Sequence, residues 1–243
     1  MLGEKCTFVS HWSFSMIKRH FPNILTLFNL LCGLSAILFL ASGEVVWASY
    51  MVMLASLFDL LDGLTARLLK VSSPLGIQLD SLADLISFGV VPGLMVYFLL
   101  NGQLALPVNN GFALAGGFLP LFAAIRLAKF NLGEGQEAAF FSGVPVPLMA
   151  WFFVSIPLIM EEYGAPWLAH PSVLVATSLL FSFLMVSKVP IMSLKFKTLR
   201  LKENGFRWGV VAIAVLLVPF LHFAAVPIVI FLTFFSIFFV KKR

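Results

Sequence analysis

Long apolar stretches separated by short polar ones run through almost the whole chain. A helix crossing a bilayer needs about 20 mostly apolar residues, because the hydrocarbon core is about 30 Å thick and each residue rises about 1.5 Å. Residues 24–42, 45–69, 78–100, 111–132, 144–160 and 171–189 approach or reach that length. The last apolar run, 208–240, is too long for one untilted span and sufficient for two short ones. Pro219, His222 and Pro227 mark a turn in its middle. The pattern therefore predicts an all-α integral membrane protein of about eight spans. It divides into an N-terminal interfacial segment (1–21), a membrane domain (22–200) and a C-terminal transmembrane hairpin (201–243). Residues 11–21 mix aromatic and basic side chains, which suits a helix lying in the interface with Trp12, Phe14 and Phe21 toward lipid. Pro22 suits the first turn of the first span. The opening 20 residues do not have the layout of a cleaved leader.

Composition narrows the class. Of 243 residues, 60% are hydrophobic and 11% charged, against about 45–50% and about 25% in ordinary globular chains. A soluble enzyme and a disordered chain are excluded. The net charge of +5 would suggest nucleic acid in a soluble protein; here it reads as topology, and no nucleic-acid partner is expected. With a cytoplasmic N-terminus and alternating spans, all 16 Lys and Arg residues fall on one side. The opposite loops carry only Glu44, Glu161 and Glu162. That bias is the positive-inside pattern. It places both termini in the cytoplasm and favours eight spans over seven; six spans plus an interfacial hairpin is the other layout it allows. Cys6 and Cys32 read as free thiols, and the four histidines show no metal-ligand spacing.

All four aspartates, Asp59, Asp62, Asp80 and Asp84, lie within 26 residues on the two helices flanking one cytoplasmic loop. An ionised Asp near a span's centre costs about 2.5–3.5 kcal/mol on insertion scales. Arg67 and Lys70 cannot neutralise four such groups. Asp59 and Asp62 are spaced i,i+3, and Asp80 and Asp84 i,i+4, so each pair shares a helix face. If the faces meet, four hard oxygen ligands converge, a set suited to two divalent cations, Mg²⁺ or Mn²⁺. Two such ions can clamp the attacking and leaving oxygens of a phosphoryl displacement. Gly63 and Ala66 leave room beside the acids, Arg67 offers a fork for phosphate oxygens, and Gly76 permits close backbone approach after a Ser72-Ser73-Pro74 turn. A cation transporter would spread its acids along a path rather than gather them on the cytoplasmic side, and a scaffold gains nothing from them.

The segment Asp59-Leu-Leu-Asp62-Gly63-Leu-Thr-Ala66-Arg67, then eight residues, then Gly76-Ile-Gln-Leu-Asp80-Ser-Leu-Ala-Asp84 matches D-x-x-D-G-x-x-A-R-x8-G-x-x-x-D-x-x-x-D at every fixed position. It resembles the signature of the CDP-alcohol phosphotransferase family. That resemblance implies a six-helix membrane core and transfer of a phosphoalcohol from a CDP-linked donor to a hydroxyl, with release of CMP. It implies that Asp59, Asp62 and Asp80 are metal ligands, and that Asp84 is the general base and touches a metal as well. Gly63, Ala66, Arg67, Ser73 and Gly76 would contact the CDP-lipid. Pro22, Asn23, Ile24 and Leu25 match the family segment that opens the first helix and lines the nucleotide site.

The flanking text is similar to the phosphatidylserine synthase branch of that family. Residues 22–33, 79–92, 126–131 and 142–147 carry the likeness, with Lys129 standing where Arg is usual. The branch implies CDP-diacylglycerol as donor, L-serine as acceptor, an active site facing the cytoplasm and a homodimer in the bilayer. Glycerol 3-phosphate, inositol phosphate or an archaeal ether-lipid donor are the alternatives within the family. Serine's carboxylate calls for a cation, and Arg126, Lys129 and Lys188 are candidates, with Asn131 and Ser187 as hydrogen-bonding neighbours.

Overall fold

A computed structural model describes residues 3–71, 73–104, 111–133, 140–192 and 209–239, except 211, 215 and 218; side chains are described from residue 20. Helices α1 (Gly3–Ala41) and α2 (Val45–Leu69) form a long antiparallel pair. The turn between them is closed by Gly43 at φ +81°, where a side chain would be strained. Lys70, left-handed at φ 52°, ends α2 by donating its N–H to the carbonyls of Ala66 and Arg67. Ser73 then caps α3 (Pro74–Asp84), its Oγ accepting from the Gly76 N–H at 3.0 Å, with Pro74 in the first turn.

A π-turn at Leu85–Val90 joins α3 to α4 (Val91–Leu104) without breaking the rod. Helix α5 (Ala115–Asn131) returns against it after a 3-10 turn at Gly111–Leu114. The two backbones nearly touch: a Cβ added at Gly93 would sit 2.6 Å from the Gly116 carbonyl oxygen. Small residues at such crossings are how helices associate in lipid, where apolar burial gives no drive. Helix α6 (Val146–Tyr163) is the most enclosed, buried continuously from Phe152 to Ile159. Helix α7 (Pro171–Val186) follows, and strands β1 (Phe140–Ser142) and β2 (Pro190–Met192) pair antiparallel. Helix α8 (Ala225–Phe239) begins after a 3-10 turn at His222–Ala224.

The surface inverts the soluble pattern. Leu38 is 70% and Leu68 81% exposed, while Thr26, Asn29 and Ala36 are buried. Among the described residues, five stretches are long and apolar enough to cross a membrane: His20–Ala41, Val45–Leu69, Pro74–Asn101, Val146–Tyr163 and Ala212–Phe234. The chain is an all-α, multi-pass membrane protein.

Three boundaries differ from the sequence reading. Pro22 lies inside α1 rather than at its start, so no backbone break separates the interfacial segment from the first span. Helix α5 has 17 residues and α7 has 16, each under the length of a full span. Helix α7 stops early because Ser187 turns extended (ψ 155°) toward β2. In the C-terminal run, His222 has φ +39°, which interrupts the helix where a turn was expected. The basic stretch 195–207, the terminal Lys241, Lys242 and Arg243, and the side chains of Trp12 and Phe14 lie outside the described residues.

Candidate active site

Helices α2 and α3 flank the Ser73 loop, and α1 packs against both. The i,i+3 and i,i+4 spacings turn each acid pair toward the other helix. Carboxylate oxygens of Asp59, Asp62 and Asp80 lie within 4.8 Å of one another. Asp62 and Asp84 are buried, at 6% and 8% exposure. Two side chains of α1 support them. Thr26 donates its hydroxyl to Asp62 Oδ2 at 2.6 Å, the length of a charge-assisted bond. Asn29 donates Nδ2 to Asp84 Oδ1 at 3.1 Å.

A cleft of about 140 Å³ opens beside the cluster. Its walls are Pro22, Asn23 and Thr26 of α1, Asp62, Gly63 and Ala66 of α2, Val71, and Ser73, Gly76, Ile77 and Asp80. A Cβ at Gly63 would meet nothing within 4 Å, so the glycine there widens the cleft. A Cβ at Gly76 would fall 2.8 Å from Asn23 Oδ1, so that glycine lets the loop close on α1.

The donor set fits a divalent cation. It is all oxygen and all carboxylate, the hard chemistry Mg²⁺ and Mn²⁺ take. Asp80 Oδ1 is buried with no hydrogen-bond partner among the described residues. Buried carboxylate oxygens are rarely left unpaired, so this one is suited to take a cation.

The other sequence candidates are distributed unevenly. Ile24, Leu25 and Arg67 do not line the cleft, and Ile24 is 45% exposed on the outer face of α1. Arg67 is exposed at the end of α2. Asn131 reaches α3, where its Nδ2 donates to Ser81 Oγ at 2.9 Å. Ala123 of α5 lies against Gly89. Arg126 therefore sits between these two contacts, alongside the turn that carries Asp84, and its Nε is buried without a partner among the described residues. Lys129 and Lys188 are exposed. Ser187 donates to the Leu184 carbonyl and ends α7. Thr26, Asn29, Val71 and Ile77 were not anticipated as parts of this site. A polar pair at i,i+3 inside an apolar run was the available signal for the first two.

A membrane bundle with carboxylates from two adjacent helices around an open cleft is the framework of a metal-dependent phosphotransferase. Comparison with known proteins agrees: residues 19–184 match the CDP-alcohol phosphatidyltransferase family. The chain belongs to that family. Among curated relatives, a Helicobacter pylori protein named CDP-diacylglycerol–serine O-phosphatidyltransferase is 36% identical over 144 residues, 59% of each chain. Proteins of the same name are 30% identical in Bacillus subtilis, over 79% of this chain and 99% of that one, and 34% identical in Saccharomyces cerevisiae, over 55% and 52%. The match thus spans less than two thirds of the Helicobacter relative's length.

Proposed function

We propose that the protein transfers a phosphatidyl group from CDP-diacylglycerol to the hydroxyl of L-serine, giving phosphatidylserine and CMP. The observation that carries this reading is the meeting of Asp59, Asp62 and Asp80 from two helices within 4.8 Å, beside a cleft that Asp62 and Asp80 line. The shared name of the Helicobacter, Bacillus and Saccharomyces relatives supports serine as acceptor.

In this reading Asp59, Asp62 and Asp80, with Asp84 beside them, would hold two divalent cations, Mg²⁺ or Mn²⁺. When bound, such ions neutralise the diphosphate of the donor and stabilise the charge gathering on departing CMP. Pro22, Asn23, Gly63, Ala66, Ser73 and Gly76 shape the space for the donor's phosphates and nucleotide. Asp84 takes the proton of the serine hydroxyl as its oxygen attacks the lipid-side phosphorus. Arg126 pairs with the serine carboxylate, its buried Nε being without a partner among the described residues. The exposed Lys129 and Lys188 contact anionic head groups. The site faces the cytoplasm, both termini lie on that side, and the protein works as a homodimer in the bilayer.

The test is acceptor competition. Purified protein with CDP-diacylglycerol and Mn²⁺ is offered serine, glycerol 3-phosphate or inositol phosphate, and CMP release is followed. Release with serine well above the others is expected. Release that prefers a phosphorylated acceptor overturns serine while leaving the phosphotransferase chemistry.

A further inference from the structure

Helix α1 contributes no acid to the cluster, yet it bonds to both acid-bearing helices. Pro22, Thr26, Asn29 and Gly33 recur at four-, three- and four-residue spacing, so they form one face of α1. From that face Thr26 reaches Asp62 on α2, and Asn29 reaches Asp84 on α3. Each acid pair thus receives one hydroxyl or amide donor from the same helix, one turn apart.

The surroundings fix these donors. Thr26 is 3% exposed and Asn29 fully buried. The Thr26 hydroxyl also lies 3.1 Å from the Pro22 carbonyl, but it has one proton, and the shorter contact to the carboxylate takes it. The Ser87 hydroxyl donates to the Asn29 carbonyl oxygen at 3.1 Å, which ties the π-turn directly after Asp84 to α1. Gly33 permits that approach, since a Cβ there would collide with Ser87 Oγ. The Asn29 amide must turn Nδ2 toward the carboxylate, because its oxygen would be repelled. Its Oδ1 is then left buried and unpaired among the described residues. An unpaired buried acceptor weakens a fold, and a leucine would serve packing better. Asparagine at this place serves the carboxylate.

We propose that Thr26 and Asn29 are positioning residues with separate duties: Thr26 orients Asp62 for metal binding, and Asn29 orients Asp84 for proton removal from the acceptor hydroxyl. The division is one of degree: Asp62 belongs to the close trio of ligand oxygens, and Asp84, which would also touch a metal, is the proton acceptor. It rests on the reading of Asp84 as base.

The experiment separates the two duties with a binding readout and a turnover readout. Mn²⁺ binding to purified protein is followed by loss of the free-ion electron paramagnetic resonance signal, and serine-dependent CMP release gives kcat and KM. Thr26→Val should weaken Mn²⁺ binding about 10-fold or more, the usual effect of removing a ligand's supporting hydrogen bond, and Thr26→Ser should restore it. Asn29→Leu should lower kcat about 10- to 100-fold, weaken Mn²⁺ binding less than Thr26→Val does, and leave the CDP-diacylglycerol KM unchanged. A structural role alone would move both readouts together. Asn29→Leu with wild-type kcat, or with Mn²⁺ binding weakened as much as in Thr26→Val, overturns the proposal. So does Thr26→Val with unchanged Mn²⁺ binding. If wild-type protein binds Mn²⁺ but releases CMP only with another acceptor, the serine reading fails, and the same split on that acceptor's kcat supports this inference.

Discussion

At the residue scale, the proposed reaction falls to four carboxylates and one arginine. Asp84→Asn keeps size and burial but removes the base. Serine-dependent CMP release should fall about 10²- to 10⁴-fold, the range a positioned general base contributes. Release near the wild-type rate would remove Asp84 from that role. Arg126→Ala should raise the serine KM about 10-fold or more, as expected for a hydrogen bond to a charged group, with a smaller change in the CDP-diacylglycerol KM. Equal rises in both would assign Arg126 to the fold. The aspartates were legible in the sequence because acids in apolar helices are rare and their spacing defines a face. Thr26 and Asn29 were not, because a hydroxyl and an amide in an apolar run are common. What gives them meaning is a tertiary contact 36 and 55 residues away. Ile24 and Leu25 share a sequence segment with Pro22 and Asn23, but helical rotation turns Ile24 outward and takes both from the cleft. Adjacency in sequence is not adjacency on a helix.

At the element scale, the small residues divide into two kinds that look alike in sequence. Gly63 faces open space in the cleft, whereas Gly93 and Gly116 hold α4 and α5 at backbone contact. Gly63→Ala should therefore leave the melting temperature unchanged and raise the KM for CDP-diacylglycerol. Gly116→Ala should lower the melting temperature, at a cost of about 1–3 kcal/mol, as for other overpacked contacts. Fluorescence-detected thermal unfolding in detergent compares the two. A melting temperature lowered as much by Gly63→Ala would show that Gly63 packs a helix rather than opens a site. The helices themselves were legible from apolar length, but their ends were not. The π-turn at Leu85–Val90 left no mark in hydropathy, and α7 stops short because Ser187 leaves the helix for β2. Both ends are decided by neighbours in space, which periodicity does not register.

At the scale of the whole molecule, the proposed orientation rests on the uneven charge, and the C-terminal run is where it meets the structure. His222 bonds to Glu162, and the Phe223 ring lies 6.3 Å from that of Tyr50. Glu162 ends α6 and Tyr50 begins α2, so the turn before α8 sits at the bundle end where α6 meets α7 and α1 meets α2. In the proposed topology, which rests on the one-sided distribution of Lys and Arg, that end faces outside. If the run crosses twice, residue 222 faces outward together with Tyr163, which is 47% exposed. If it forms an interfacial hairpin on the cytoplasmic side, the Glu162 contact cannot form. In a background with Cys6 and Cys32 replaced, Tyr163→Cys and His222→Cys should both react with a membrane-impermeant maleimide in intact cells. Lys70→Cys should react only after permeabilisation. Labelling of position 163 alone would return the C-terminal run to the cytoplasmic interface. Labelling of position 70 alone would reverse the whole topology and place the aspartate cluster on the outer side, away from any cytoplasmic donor.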